Sequence, residues 1–139
     1  MKTLYILVLS CLFFVACHDV TVGYLKTENA VYVPDSLVIR KEPDPIEDDI
    51  RIQNQAPWMT LPIQGVIGTA QIHYEIESVS SDKAVNADIF KEELSIRGGG
   101  IMSYPLEGKA PVGRYVVSVR IWNEGYDVVK HNIFTFIVK

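Results

Sequence analysis

Five aromatic and polar residues in one short stretch have the side chains that carbohydrate-binding sites use. They are Trp122, Asn123, Glu124, Tyr126 and Asp127. An aromatic ring packs against the C–H face of a pyranose, and its polar edge stays wet. Carboxylates and amides exchange hydrogen bonds with the sugar hydroxyl groups. The stretch is therefore our candidate glycan-binding site.

A second polar segment, the acidic loop of residues 42–49, offers oxygen ligands that suit a hard cation such as calcium. Its spacing lacks the central glycine of a calcium loop, and Pro43 and Pro45 remove backbone donors. His73 and His131 fall at polar positions of predicted strands, which indicates surface imidazoles rather than metal ligands. We expect no metal and no other cofactor.

Motifs that would indicate an enzyme are missing from the sequence. The chain contains neither a Gly-x-Ser-x-Gly elbow nor a His-Glu-x-x-His motif. The triple glycine at 98–100 lies between predicted strands, so it indicates a turn rather than a phosphate-binding loop. The sequence therefore predicts a non-catalytic protein.

The first 17 residues predict the location of the protein. Lys2 precedes an apolar run over residues 4–16, which is too short to span a bilayer and is typical of a secretory signal. The end of this run, Phe14-Val15-Ala16-Cys17, resembles the bacterial lipobox, in which the cysteine is acylated, for example by palmitate, and becomes the first mature residue. We expect a signal peptide over 1–16, a lipidated Cys17 with a tether over 17–29, and a domain over 30–139.

Charge and cysteine content exclude several further classes. The chain has 13 basic and 17 acidic residues and a net charge of −4, with no basic run, so nucleic acid is not an expected partner. Anionic lipid does not attract such a chain, so its attachment to the membrane must be covalent. Because Cys11 leaves with the signal and Cys17 carries lipid, the mature domain has no disulfide and no thiolate site.

Alternating patterns predict the elements that hold the candidate glycan-binding site. In residues 114–122 an inward face alternates with an outward face that ends at Trp122, and Gly125 marks a hairpin before a strand over 128–138. Trp58 is predicted to lie in the core, residues 78–87 to be a polar connection, and residues 88–94 to form one helical turn. About seven short strands without a sustained helical period indicate an all-β protein, a single immunoglobulin-like β-sandwich.

Several stretches together are similar to the surface glycan-binding lipoproteins of the Bacteroidota. They are residues 20–24 (VTVGY), 32–37 (YVPDSL), 63–69 (IQGVIGT), 72–76 (IHYEI) and 113–119 (GRYVVSV). The resemblance implies a non-catalytic protein of the cell surface that holds polysaccharide near outer-membrane importers. Asp35-Ser36-Leu37 also resembles the O-glycosylation acceptor of that phylum, which makes Ser36 a candidate for modification, with an Asx-type turn as the alternative.

The sequence therefore predicts a lipid-anchored protein of the outer membrane that binds or presents polysaccharide, with the cell surface favoured over the periplasmic face. The alternative is a structural or protein-interaction module that pairs with an outer-membrane protein partner through a sheet edge. The strand over 128–138 distinguishes the two, because a central strand weakens the alternative and an exposed edge strengthens it.

Overall fold

Strands dominate the computed structural model, which describes residues 1–4 and 23–139. Two short α-helices lie between residues 23 and 139, α1 over Asp49–Gln53 and α2 over Ala84–Glu93, and a 3₁₀ turn covers Gly98–Gly100. The strands are β1 Leu25–Lys26, β2 Ser36–Ile39, β3 Trp58–Met59, β4 Ile67–Gly68, β5 His73–Ser80, β6 Ser95–Arg97, β7 Ile101–Tyr104, β8 Gly113–Asn123 and β9 Tyr126–Val138.

The described strands form three sheets. The largest has the order β2-β9-β8-β5, in which β2 runs parallel to β9 and the other pairs are antiparallel. A three-stranded sheet has the order β3-β7-β6, and β1 pairs with β4 in a two-stranded sheet. The two larger sheets contribute to one core in a sandwich-like arrangement, so the all-β prediction is confirmed. The immunoglobulin type stays a prediction.

The core forms where the sequence pattern predicts it in β8. Tyr115, Val117, Val119 and Ile121 are fully buried, as the alternation requires. Trp58 is also buried, which confirms its predicted place in the core. Burying these large side chains supplies much of the hydrophobic stabilisation, at about 1.5–3 kcal/mol for each aliphatic residue.

A helical residue joins the two larger sheets. Phe90 of α2 stacks on Tyr104 of β7, with ring centroids 4.4 Å apart, and on Tyr115 of β8 at 4.3 Å. The Tyr104 hydroxyl donates a hydrogen bond to Glu93 at the end of the same helix and accepts one from the Ala110 N–H. The helix therefore closes the space between the sheets.

The structure corrects three details of the predicted element order. Nine strands are present in the described residues instead of about seven, and three of them, β1, β3 and β4, are only two residues long. The helix is also longer than one turn, because Ala87, Phe90 and Leu94 repeat at helical spacing and are all buried. The predicted polar connection contains the end of β5 and the start of α2.

The hairpin of β8 and β9 has the predicted turn and an irregularity that the sequence did not predict. Asn123 pairs with Tyr126, and Gly125 has a φ of 95°, a conformation that glycine adopts without steric cost. Farther along, Val119 pairs with Lys130 and Val117 with Phe134, so β9 contains extra residues that form a bulge.

Among the helices of residues 1–4 and 23–139, none combines the length and the apolar composition of a membrane-spanning segment. Cys17, the predicted site of lipidation, lies outside the described residues.

Candidate functional site

The outer face of the largest sheet presents a group of polar and aromatic side chains near the β8–β9 hairpin. Because Val119 and Ile121 point into the core, the alternate residues of β8 and their cross-strand partners point outward. One registered row contains His73, Trp122 and Asp127, and the next contains Glu75 and Arg120. We call these residues the outer-face cluster: His73, Glu75, Arg120, Trp122 and Asp127.

Arg120 holds the two carboxylates of this cluster together. Its Nε donates to both carboxylate oxygens of Asp127, at 3.0 and 3.1 Å, and its Nη1 lies 3.3 Å from Glu75 Oε2. The hydrogen bonds from Arg120 lower the pKa of the Asp127 carboxyl, and those to Asp127 raise the pKa of the guanidinium. Two carboxylates and one guanidinium give this group one formal negative charge in excess.

Trp122 is half-buried and lies between neighbours on its own face. The His73 ring stacks on it with centroids 5.3 Å apart and an interplanar angle of 23°. The Arg120 guanidinium lies 4.8 Å from the centroid of the Trp122 ring, within the range of a cation–π contact. The aromatic surface of this cluster is therefore a packed assembly rather than an isolated ring.

The pleat of the sheet separates the five residues of the predicted glycan-binding site. Trp122 and Asp127 pair with each other and share the outer face, whereas Asn123 pairs with Tyr126 on the opposite face. Glu124 is exposed in the turn. Asn123 is buried, and its Nδ2 donates to the carbonyls of Tyr24, at 2.9 Å, and Thr69, at 3.2 Å. Its amide therefore holds the hairpin against the β1–β4 sheet.

Sequence reasoning did not associate His73, Glu75 or Arg120 with this site. His73 and Glu75 lie on β5, about 45 residues before the hairpin, and strand register alone brings them beside β8. A usable signal was present, because Arg120 has the same strand parity as Trp122 and belongs to its predicted outward face.

The acidic loop uses its carboxylates internally. Asp48 is buried and accepts hydrogen bonds from Arg40 Nη1 and from the Asp44 N–H, both at 2.9 Å, and Arg40 also pairs with Glu47. Burial opposes the ionisation of Asp48, but the hydrogen bonds outweigh it and lower the pKa of the carboxyl. Asp44 Oδ1 accepts from the N–H groups of Ile46 and Glu47, which lowers its pKa as well. The loop ends in α1, which begins at Asp49.

Two further predicted features concern metals and modification. Across residues 1–4 and 23–139, no three His, Cys, Asp or Glu side chains are grouped as a metal ion would require. Ser36 begins β2, is half-buried and pairs with Thr135, whose N–H donates to the Asp35 carbonyl at 3.0 Å. O-glycosylation of Ser36 stays a prediction.

Comparisons with known proteins concern the fold. No model of a known protein family matches the chain, and no characterised protein matches it significantly. Among solved structures, the chain is similar to a SusE-like, surface-located polysaccharide-binding protein from the heparin utilisation locus of Bacteroides thetaiotaomicron, with a TM-score of 0.51 and 16% identity. The match covers 84% of this chain and 15% of that protein. The likeness therefore agrees with the all-β sandwich, and the chain spans a small part of its neighbour.

Proposed function

We propose that the protein is a non-catalytic lipoprotein of the outer membrane, anchored through Cys17, that binds or presents polysaccharide through its outer-face cluster. The observation that carries the proposal is the registered group of stacked rings and charged side chains on one solvent-facing surface of β5, β8 and β9. The fold neighbour, whose name describes a surface-located polysaccharide-binding protein, supports the same class of function and a cell-surface location.

The neighbours of Trp122 determine which part of its ring a sugar can contact. Because His73 and Arg120 already contact the ring, a pyranose packs against the outer rim of the His73–Trp122 stack, and its hydroxyl groups bond to Asp127 and Glu75. The contact with one sugar is small, so we expect weak binding per repeat unit. A polymer with many repeats compensates through avidity.

The charge of the outer-face cluster favours uncharged polysaccharides. Glu75 and Asp127 provide two carboxylates and Arg120 one guanidinium, and the whole chain carries a net charge of −4. A sulfated or uronic-acid polymer would meet like charge at this surface. We therefore expect neutral glycans to bind in preference to heparin-like ones.

Affinity electrophoresis against a panel of neutral and acidic polysaccharides tests the proposal. The protein used is the mature chain with Cys17→Ser, a substitution that removes the acylation site. Trp122→Ala changes the outer face, and Tyr126→Ala is the matched control because it removes an aromatic ring from the same hairpin on the opposite face. Thermal unfolding of both variants checks that each remains folded.

We expect a neutral polysaccharide to retard the unmodified chain and the Tyr126→Ala variant, but not Trp122→Ala. Loss of retardation in Tyr126→Ala alone would move the site to the opposite face of the hairpin. Absence of retardation by every polysaccharide would contradict the proposal.

A specific observation also supports the alternative function, pairing with a protein partner through a sheet edge. β2 pairs with β9 only through residues 135–138, and no other described strand pairs with that side of β9. β9, the strand whose position distinguishes the two functions, is therefore central in the sheet over residues 135–138 and an edge over its earlier part. Lys130, His131 and the bulge disfavour strand addition at this edge. Pull-down with outer-membrane extracts, comparing the unmodified chain with a Val129→Pro variant, tests this alternative.

A further inference from the structure

The chain enters the described fold at the tip of the β8–β9 hairpin. The Tyr24 carbonyl accepts hydrogen bonds from Asn123 Nδ2 at 2.9 Å and from the Thr69 N–H at 3.0 Å. The Tyr24 N–H in turn donates to Thr69 Oγ1 at 2.9 Å. Gly23 and Tyr24 are thus fixed at the end of the sandwich where β8 turns into β9. We call this end, formed by the hairpin tip and the β1–β4 sheet, the tip end.

The length of the connecting chain limits how far the tip end can lie from an acylated Cys17. Gly23 lies six positions after Cys17 in the sequence, and a fully extended chain of that length reaches about 20 Å. β8 has 11 residues and spans about 33 Å, so its start at Gly113 is much farther from the anchor than its end at Asn123. A lipid at Cys17 therefore keeps the tip end close to the bilayer, although a tether of this length leaves the orientation of the domain open.

Exposed side chains at the tip end suit the interface of a membrane. Tyr24 is 48% exposed, Tyr126 is exposed opposite Asn123, and Ile67 of β4 is 58% exposed. Tyrosine has an apolar ring and a polar hydroxyl, and it is enriched at the level of the lipid headgroups. Lys26, the cross-strand partner of Ile67, adds a cation for lipid phosphates.

We propose that the tip end binds the lipid surface, with Tyr24, Ile67 and Tyr126 in contact with the headgroup region. This inference rests on the anchoring at Cys17 that the proposed function includes. The short tether supplies proximity, and the three side chains set the orientation. The outer-face cluster, whose Trp122 and Asp127 pair next to the hairpin tip, then lies close to the bilayer, and β8 and β9 extend away from the membrane.

Fluorescence quenching by lipid tests this orientation on the full acylated chain. The chain is placed in phosphatidylcholine vesicles that contain a phospholipid with a nitroxide at its headgroup. A bimane label is attached at Glu124→Cys in the tip end or at Val112→Cys, which is exposed beside the opposite end of β8. We expect the label at 124 to lose most of its fluorescence and the label at 112 to lose little.

A second pair of variants separates binding by the tip end from simple tethering. Tyr24→Ser with Tyr126→Ser should restore most of the fluorescence at 124. Ile50→Ser with Val85→Ser, two exposed apolar residues on the helices, is the matched control and should restore none. Unchanged quenching in the tyrosine variant, or equal quenching at 112 and 124, would overturn the inference.

The same vesicles distinguish failure of this inference from failure of the proposed function. A chain that binds vesicles no better than its Cys17→Ser variant would contradict anchoring at Cys17, and the inference would fall with it. A chain that is bound but quenched equally at both labels would contradict the orientation alone. Polysaccharide binding is measured without lipid, so it is unaffected by either result.

Discussion

Two arginines in this protein each hold a pair of carboxylates, yet the two groups lie in different surroundings. The first group, beside α1, is Arg40 with Glu47 and Asp48. The second group, on the outer face, is Arg120 with Glu75 and Asp127. Residue types and net charge are the same in both, so the comparison isolates the effect of position.

Exposure of the carboxylates separates the two groups. The Asp48 side chain is 7% exposed and also accepts from a backbone N–H, whereas Asp127 is 50% and Glu75 56% exposed. Oδ2 of Asp48 accepts both hydrogen bonds, and burial keeps a ligand from the carboxylate, so this residue acts as a structural support. An exposed carboxylate retains acceptor capacity, so the chemistry of a site depends on access as much as on composition.

Removing the buried carboxylate should have the largest effect. Asp48→Ala leaves the Asp44 N–H without its acceptor, and Arg40 and Arg51 lose a counter-charge. We expect the melting temperature to fall by several degrees, with the transition still cooperative. Thermal unfolding of the variant beside Asp127→Ala provides the measurement, and an equal loss in both variants would contradict the comparison.

Removing the exposed carboxylate should affect binding rather than stability. Asp127→Asn keeps the shape of the side chain but takes away a charged hydrogen-bond acceptor, so polysaccharide affinity should fall about tenfold. The melting temperature should change little, because exposed ion pairs contribute little to stability. Affinity electrophoresis measures the loss of polysaccharide affinity, with Asp48→Asn as the control. A larger loss of affinity in Asp48→Asn would contradict the assignment of Asp127 to binding and Asp48 to structural support.

Acid should act on both groups in the same direction. The pKa values of Asp48 and Asp127 are lower in the folded chain, so their ionisation stabilises the fold above the ordinary aspartate pKa of about 4. This stabilisation is lost as the pH falls through the lowered folded values. Urea unfolding between about pH 6 and about pH 2 should show it. Salt should weaken the contribution of Asp127 more than that of Asp48, because an exposed pair is screened.

Glu75 should give the smallest effect. Its contact with Arg120 is the longest ion pair of the outer-face cluster, at 3.3 Å, and Asp127 continues to hold the arginine without it. Glu75→Gln should leave the melting temperature unchanged and weaken polysaccharide binding less than Asp127→Asn does. A loss of binding equal to that of Asp127→Asn would show that the two carboxylates contact the ligand equally.

Local patterns predicted the strands of the hairpin well, and strand register explains what they missed. The alternation from Tyr115 to Ile121 and the turn at Gly125 follow from neighbouring residues, so the sequence contains them directly. The opposite faces of Trp122 and Asn123 follow from the same alternation, although nearness in sequence suggested a single site. The neighbours from β5 depend on pairing across about 45 residues, which no local pattern specifies.

The length of α2 was missed for a related reason. Ala87 is buried, but polar residues precede it, so the local sequence does not indicate a buried helical position there. Its burial depends on the sheets that pack around it. Only with Ala87 included does the spacing to Phe90 and Leu94 extend over two helical turns. Tertiary packing, rather than propensity, therefore decides where this helix begins.

The parallel pairing of β2 with β9 has a consequence for biogenesis. Ser36 pairs with Thr135, about 100 residues later in the chain. Contacts between residues so far apart in the sequence form slowly during folding. The largest sheet cannot be completed until β9 has been synthesised. If the chain is exported behind the signal peptide that we propose, the largest sheet closes only after β9 has reached the far side of the secretion channel.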